Sequence, residues 1–423
     1  MKVFEELSAR GLIDKITHQE LIDKLNNQSL KFYIGFDPTA SSFHVGQLAV
    51  FNLMRILQNN NHQPIALMGA GTAMIGDPSG KNSERQLLSI EQINANIKQL
   101  TPQFEKILNP PSAKVKPIFS NNYDWINKLN TLDFLRDVGK CFPVSKMLSK
   151  ESISARLNRP DGGITFTEFS YMILQAYDFA HLSKAYDCNL QMGGSDQWGN
   201  IVAGIELTRR LSGKQVYGLT MPLLTKKNGQ KFGKSEAGAI WLSADKTSPY
   251  QFYQFFLRQA DDDVIRLLKM LTLIPLKEID ELEDKLSTMP EKRHAQTELA
   301  VYLTELVHGS AEVIKCQRAS KALYGGKLDD LSGDLLAEVF ADVPAYQVTK
   351  DKLIEGWDVI DMLVEVKACR SKREARQLMQ GGGIYINNQG SFSAQVVSSE
   401  HLLNDQIIVV RVGKKKYYLI KFS

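Results

Sequence analysis

Cysteine is scarce in this chain of 423 residues, and long apolar runs are missing. The four cysteines lie far apart, without a CxxC pair or a Cys/His cluster, so their spacing excludes a disulfide framework and the common zinc sites and fits a reducing cytosol. No run of 18 apolar residues occurs, and the charged start "MKVFEELSARGLIDKITHQEL" has no apolar signal core. We therefore expect a cytoplasmic protein without a membrane span.

A large excess of one charge sign is missing as well. The formal net charge of +4 is too small to indicate a nucleic-acid partner by itself. What the chain does have is a hydrophobic share of 43% and a charged share of 23%, which indicate a globular protein that can bury a large core. At this length, two or three domains are expected.

The first half of the chain alternates between short apolar runs and helical patterns. The runs "KFYIGF", "HQPIALMG", "KVKPIF" and "YDCNLQMGG" read as strands, and capping-box spacings at Thr17/Glu20 and Ser89/Gln92 mark helix starts. This rhythm is typical of a mostly parallel sheet flanked by helices. We therefore predict an α/β fold with a Rossmann-like parallel-sheet domain over residues 1–225.

The remaining chain changes character twice. From 226 to 322 strands nearly vanish, and Ser248-Pro249 opens a helical pattern, which predicts an α-helical domain. Glycines and aspartates in "YGGKLDDLSGD" predict a linker over 323–354. The last segment, 355–423, is expected to be a small basic α+β domain.

The charge of the last segment is its main functional signal. From Lys367 onward there are ten Lys/Arg against three Asp/Glu, and the spacing of Arg370, Arg373 and Arg376 places them on one face of a predicted helix. The segment "SKREARQLMQGGGIYIN" resembles a small RNA-binding module first known from a ribosomal protein. A solvated helix face is the plainer interpretation, but a second basic cluster beside tyrosines favours RNA. The predicted RNA-binding residues are Arg370, Lys372, Arg373, Arg376, Lys414, Lys415 and Lys416.

Two glycine-rich stretches look like nucleotide motifs but have the wrong spacing. In "LMGAGTAMIG" the third glycine of a dinucleotide fingerprint is replaced by Met74. In "GDPSGK" three residues, and not four, separate the glycines, and Asn82 follows Lys81 where a phosphate loop has Ser or Thr. A dehydrogenase and a P-loop enzyme are therefore disfavoured.

Two further motifs become informative together. The stretch "GFDPTASSFHVGQL" leads from a strand into a helix start, and "KFGKS" follows at 231–235. Together they resemble the HIGH and KMSKS signatures of class I aminoacyl-tRNA synthetases. With "GDPSGK", "YMILQAYD" and "QMGGSDQWGN" the resemblance covers essentially the whole chain and narrows to the bacterial tyrosyl-tRNA synthetases.

This resemblance implies activation of L-tyrosine by ATP, accompanied by Mg²⁺, and transfer of the tyrosyl group to tRNA(Tyr). The carboxylate is already a nucleophile, so such a site needs positioning and cations and no general base. No protein-ligated metal is expected, and a homodimer is implied, for which 133–148 is a plausible interface. The implied catalytic residues are Thr39, His44, Lys81, Arg85, Lys231, Lys234 and Ser235.

The resemblance also assigns binding residues. Gln47 stands where the HIGH motif has its second histidine; its amide can still hydrogen-bond a ribose but carries no charge. Tyr171, Gln175 and Asp178 share one helix face, where Tyr171 and Gln175 would hold the ammonium group and Asp178 the phenol. The implied tyrosine-binding residues are Tyr33, Asp77, Tyr171, Gln175, Asp178 and Gln191. Those implied for ATP and the adenylate are Gly35, Asp37, Thr39, His44, Gly46, Gln47, Gly193, Asp196, Gln197 and Lys234.

Two rival functions remain open from the sequence. A tryptophan-specific enzyme of the same class would have no use for the polar pair Tyr33 and Asp178. An RNA-binding or RNA-modifying protein could share the basic C-terminal module alone, and would then show no amino-acid-dependent chemistry on ATP.

Overall fold

A computed structural model describes residues 1–79, 87–150, 153–154, 157, 163–225, 232–235, 238–322, 325–354, 356–389, 392–413 and 416–423, with the backbone alone for Lys234 and Ser235. The chain divides into two compact units. Unit 1 comprises Met1–Ser248 and Phe255–Val307, and unit 2 comprises Pro249–Gln254 and His308–Ser423.

Unit 1 contains a six-stranded sheet with the order β1-β6-β5-β2-β3-β4. Every neighbouring pair is parallel except β1 and β6. Its strands are β1 Lys15–Ile16, β2 Lys31–Phe36, β3 Gln63–Met68, β4 Ile118–Asn121, β5 Leu190–Gly194 and β6 Tyr217–Met221; a small hairpin follows, β7 Lys234–Ser235 with β8 Gly238–Ala239. The four strands predicted from apolar runs are present, and the α/β parallel-sheet prediction is confirmed.

The helices up to residue 212 surround this sheet or connect its strands. The longest, α9, has a face of buried side chains along most of its length because apolar residues recur at helical spacing. Their bounds are α1 Val3–Ala9, α2 Glu20–Asn27, α3 Leu48–Asn59, α4 Ala70–Ala73, α5 Ile90–Leu108, α6 Tyr123–Ile126, α7 Thr131–Asp133, α8 Val144–Leu148, α9 Phe166–Tyr186 and α10 Trp198–Ser212.

Within the stretch 226–322, where a helical domain is expected, helices predominate from 249 to 322, and residues 226–231, 236 and 237 lie outside the described residues. The expected start at Pro249 is present, but the pattern is broken after Leu257, and a second helix begins at Asp261. The bounds are α11 Pro249–Leu257, α12 Asp261–Leu271, α13 Leu276–Thr288, α14 His294–His308 and α15 Ser310–Ala322.

The C-terminal part of unit 2 packs helices against a four-stranded sheet of order β11-β13-β14-β9. Its core includes Met362, Leu363, Ile408 and Ile420. The elements are α16 Gly333–Val339, β9 Ala345–Val348, α17 Asp351–Ile354, β10 Trp357–Asp358, α18 Val359–Glu365, α19 Lys372–Gln380, β11 Ile384–Ile386, β12 Val396–Val397, β13 Ile407–Val412 and β14 Lys416–Phe422.

Three local expectations need correction. The stretch 323–354, expected as a linker, contains α16, β9 and α17, and β9 pairs in parallel with β14, so the C-terminal sheet begins earlier than residue 355. Arg370 precedes α19, which starts at Lys372 with Ser371 as its N-cap, so it is not on that helix face. Thr17 does not cap α2, since its hydroxyl accepts from the Gly218 N–H, whereas the predicted cap at Ser89 is present.

An aromatic cluster supports the loop that follows β2. Phe36 ends the strand and Phe43 ends the loop, and both rings contact Phe104, at centroid distances of 4.9 and 4.7 Å. Phe51 of α3 stacks on Phe36 and meets Phe43 edge-on. Because both ends of the loop are held in one buried cluster, the next residue, His44, has a fixed position.

Candidate active site

A cavity of unit 1 lies where the chain order of the sheet reverses. Strand β2 continues through α3 to β3 on one side, while β5 pairs with its other side. Such a reversal leaves a crevice at the carboxyl ends of the strands, which is the usual ligand site of open α/β sheets. A cavity of about 330 Å³ lies there, lined by Tyr33, Gly35, Asp37, Thr39, Gln47, Asp77, Tyr171, Gln175, Asp178, Gln191, Gly193, Gly194, Asp196 and Gln197, among others.

The turn that opens α3 is built around His44. The imidazole Nδ1 accepts from the Gly46 N–H at 3.0 Å, and the Gln47 Oε1 accepts from the His44 N–H at 2.8 Å. Because Nδ1 is an acceptor, a neutral ring carries its proton on Nε2, which is then a donor. A Cβ on residue 46 would lie 2.7 Å from the His44 Cε1, so this cap requires glycine.

This geometry explains Gln47 at the last position of the motif. Its amide oxygen caps the turn, while the residue also lines the cavity. Gly35, in β2, also lines the cavity, and a Cβ there would meet nothing within 4 Å, so the wall is open at this point. Thr39 lies in the loop just before the histidine turn and is exposed.

One end of the cavity carries carboxylates and amides. Tyr171 donates to the Asp37 Oδ2 at 2.9 Å, and Gln197 donates to the Asp77 Oδ2 at 2.8 Å. Gln175 donates in turn to the Gln197 Oε1 at 3.0 Å. This network fixes the orientation of both amides and leaves the region rich in acceptors for a cationic ligand.

Three buried polar atoms around the cavity have no hydrogen-bond partner within the described residues. They are the Tyr33 hydroxyl, the Gln175 Oε1 and the Gln191 Oε1. Leaving such atoms unsatisfied costs about 1–3 kcal/mol each. Tyr33, Gln175 and Gln191 all line the same cavity, which indicates a ligand with polar groups.

Asp178 and Tyr33 also line the cavity, and both are buried. The Trp125 Nε1 donates to the Asp178 Oδ1 at 2.9 Å, and the Asn122 Nδ2 to its Oδ2 at 3.0 Å. Burial raises the pKa of Asp178 to about 7, although both hydrogen bonds lower it. Burial and the nearby Asp178 raise the pKa of Tyr33, so its hydroxyl remains a donor.

Asn122 and Trp125 are site residues that the sequence reasoning missed. Both follow β4 directly, and Trp125 is held by stacking on His181, with ring centroids 4.2 Å apart. The available signal was their position after a predicted parallel strand, because the carboxyl ends of such strands converge on the site.

The lysine motif adjoins the histidine turn through its described residues. A Cβ on Gly233 would lie 2.5 Å from the Val45 Cγ2, and Phe232 packs on Phe255 and Phe256. Of the predicted cations, Lys81, Arg85 and Lys231 lie outside the described residues, and the side chains of Lys234 and Ser235 are likewise not described.

The described residues among those predicted to bind RNA all lie in unit 2. Arg370, Lys372, Arg373, Arg376 and Lys416 are exposed. Lys372 pairs with Asp361 at 2.5 Å. Lys414 and Lys415 lie outside the described residues.

Within the described residues no group of three or more His, Cys, Asp or Glu side chains could hold a metal ion. None of the helices in that part of the chain is long and apolar enough to cross a bilayer.

Comparison with protein families defines the class. The family model for class I tRNA synthetases (W and Y) matches residues 25–325, which is more than half of the chain. The chain therefore belongs to the class I tRNA synthetases, and it is an aminoacyl-tRNA synthetase.

Comparison with individual proteins narrows the class further. Proteins named tyrosine–tRNA ligase from Rhodopirellula baltica and Staphylococcus haemolyticus are each 46% identical over 424 residues, covering 100% of this chain and 96% and 99% of those proteins. A C-terminally truncated mitochondrial tyrosyl-tRNA synthetase from Aspergillus nidulans has a TM-score of 0.69 at 32% identity and covers 76% of this chain and 94% of that one. The model for a tyrosine–tRNA ligase C-terminal domain matches residues 336–420. The family is that of the tyrosine–tRNA ligases, which confirms the resemblance seen in the motifs.

Proposed function

We propose that this chain activates L-tyrosine with ATP, releasing pyrophosphate, and transfers the tyrosyl group to the terminal adenosine of tRNA(Tyr). The observation that carries the choice of tyrosine is that the Tyr33 hydroxyl and Asp178 are both buried and line the same cavity. Tyr33 offers a donor and the carboxylate an acceptor, which is what a phenol hydroxyl requires. An indole N–H would satisfy only one of them.

The carboxylates and amides of the cavity suit the amino group of the same ligand. The Gln175 Oε1 is buried without a partner among the described residues, and Asp77 and Tyr171 lie in the same network. An ammonium group supplies the missing donors and a charge that the carboxylates attract. Gln191, with its own unsatisfied oxygen, contacts the tyrosine from β5.

ATP is assigned to the side of the cavity that faces the histidine turn. The His44 ring, whose Nδ1 accepts from the Gly46 N–H, presents an Nε2 donor, which together with Thr39 binds the terminal phosphates. Gln47, Asp196 and Gln197 bind the adenylate ribose, Asp37 is a further adenylate-binding residue, and Gly35, Gly46 and Gly193 allow close approach of the nucleotide. Lys81, Arg85, Lys231, Lys234 and Ser235 stabilise the charge that develops on pyrophosphate, and Mg²⁺ accompanies ATP without a protein ligand cage.

The remaining proposals concern partners. The exposed basic residues of unit 2 bind the tRNA backbone. Leu132, Leu135, Val144, Leu148 and Phe166 are exposed apolar side chains in or near the stretch 133–148 and form the proposed homodimer surface. The four cysteines are free thiols, in keeping with a cytoplasmic location.

The test is charging of tRNA(Tyr) with labelled amino acids offered singly. We expect charging with tyrosine and less than about one hundredth of that rate with phenylalanine or tryptophan, because the other side chains leave buried polar groups unpaired. Charging with tryptophan would overturn the assignment of the pocket, and no charging by a folded sample would overturn the function.

A further inference from the structure

The segment 240–247, which follows the lysine motif, is hydrogen-bonded to the histidine turn. The Val45 N–H donates to the Ile240 carbonyl at 2.9 Å, and the Leu242 N–H donates to the Phe43 carbonyl at 2.8 Å. These bonds form a short antiparallel pairing. The segment therefore has a fixed position relative to the residue between Phe43 and Val45, which is His44.

Residues 241–247 of the segment form a turn that is held by its own hydrogen bonds. The Trp241 N–H donates to the Thr247 Oγ1 at 3.0 Å, and the Thr247 N–H donates to the Ser243 carbonyl at 3.1 Å. Thr247 is buried. Because the turn is closed, the residue just before Thr247, Lys246, projects from a rigid backbone.

The Trp241 ring of this segment contacts His44, and the Lys246 ammonium in turn contacts the Trp241 ring. The Trp241 ring lies edge-on to the imidazole, with centroids 6.2 Å apart and planes at 70°. The Lys246 Nζ lies 4.7 Å from the centre of the same indole. The neighbouring carboxylate, that of Asp245, accepts from the Ser243 hydroxyl.

We propose that Lys246 is a further phosphate-binding cation of the ATP site, held beside His44 by the indole of Trp241. An ammonium over an aromatic face is oriented by the ring while its N–H groups stay available to an anion. Lys231 and Lys234 lie within the lysine motif, whereas Lys246 lies on the segment bonded to the histidine turn. This assignment rests on the proposed function, since it presupposes that His44 faces the triphosphate.

The experiment is tyrosine-dependent ATP–pyrophosphate exchange by the full chain carrying Lys246→Gln. We expect the KM for ATP to rise about tenfold and the KM for tyrosine to stay within twofold, because a charge-assisted contact to phosphate is lost. Lys246→Arg should recover most of the loss. Inhibition by AMP, which lacks the outer phosphates, should be unchanged.

Trp241→Ala tests how the lysine is held. Its KM for ATP should also rise, and adding Lys246→Gln should cost little more, since both changes remove one interaction. The matched control is Lys24→Gln, because the Lys24 Nζ also lies over an aromatic ring, 5.5 Å from the centre of Tyr217, away from the cavity. This control should leave both KM values unchanged.

Two results for Lys246→Gln would overturn the proposal. One is a KM for ATP within twofold of the unaltered chain. The other is that the KM for ATP, the KM for tyrosine and the inhibition constant for AMP all rise equally while the Tm falls, which would mean a structural role. Failure of the proposed function is a separate result, since the unaltered chain would then show no tyrosine-dependent exchange.

Discussion

At the scale of single residues, the proposed selection of tyrosine depends on how one carboxylate is held. Asn122 and Trp125 both donate to Asp178, so both of its oxygens are fixed. The same burial that makes a phenol contact strong also makes the charge costly, and the pKa of Asp178 is raised to about 7. Asp178 therefore changes charge near neutral pH.

The first prediction concerns this titration. Below pH 7 the carboxyl group is increasingly protonated, so it loses its role as the acceptor for the phenol. In pyrophosphate exchange, kcat/KM for tyrosine should fall with decreasing pH, with an apparent pKa near 7, whereas kcat/KM for ATP should depend less on this group.

Asp178→Asn tests whether Asp178 is responsible. Its amide cannot ionise and its N–H₂ opposes the Asn122 donor, so we expect at least a tenfold loss of kcat/KM for tyrosine at pH 8 and no limb near pH 7. If kcat/KM for tyrosine in this variant still fell with an apparent pKa near 7, the titration would belong to another group.

The sequence predicted the residues of this site better than their contacts. Tyr171, Gln175 and Asp178 share a helix face by spacing alone, and all three line the cavity. The partners of Asp178 come from the end of β4, more than 50 residues earlier, and an amide and an indole have no recognisable spacing. The use of the Gln47 amide as a cap also depends on the turn geometry.

At the scale of elements, the histidine turn and the lysine motif pack against each other. Gly233 has a φ of +83°, and its backbone carbonyl accepts from the Ile240 N–H, which brings the lysine motif against the histidine turn. A side chain at residue 233 would be strained by its φ and would meet Val45 as well.

The second prediction is that Gly233→Ala lowers kcat of exchange about tenfold or more and leaves equilibrium binding of tyrosine unchanged. The left-handed backbone alone costs alanine roughly 1–2 kcal/mol, and the contact with Val45 adds to it. Gly238→Ala is the matched control, since Gly238 has a φ of +114° and a Cβ added there would meet nothing within 4 Å. An equal loss of kcat in Gly233→Ala and Gly238→Ala would show that backbone strain explains the loss without the contact to Val45.

The elements were predicted where a periodic pattern decides them. The strands of the parallel sheet are buried runs, and apolar runs of that length are visible in the sequence. The strand β9 was missed because its burial alternates between exposed and half-buried residues, and it becomes a strand only by pairing with β14. Tertiary pairing decides such segments.

At the scale of the whole molecule, activation and transfer should separate along the chain. The cavity proposed as the catalytic site is lined by residues of unit 1, and the basic residues proposed for RNA lie in unit 2. The third prediction is that a chain ending at Gly325, where the synthetase family match ends, retains exchange within about threefold but charges tRNA at least a hundredfold more slowly. Equal loss of both reactions would show that the missing part is needed for folding.

The fourth prediction concerns the proposed dimer. Leu135 and Val144 are 52% and 59% exposed, and covering such side chains is a common basis of subunit association. Leu135→Asp combined with Val144→Asp should give a monomer by sedimentation analysis. Ile314→Asp, at a residue that is 50% exposed on α15, should leave the mass unchanged. A monomeric unaltered chain would contradict the proposed dimer.

The proposed function requires that the cavity select tyrosine for activation by ATP. ATP–pyrophosphate exchange without tRNA, with each amino acid offered separately, tests it most directly. We expect rapid exchange with tyrosine and almost none with phenylalanine or tryptophan, because only a phenol satisfies Tyr33 and Asp178 together. Equal exchange with phenylalanine, or exchange with tryptophan alone, would contradict it.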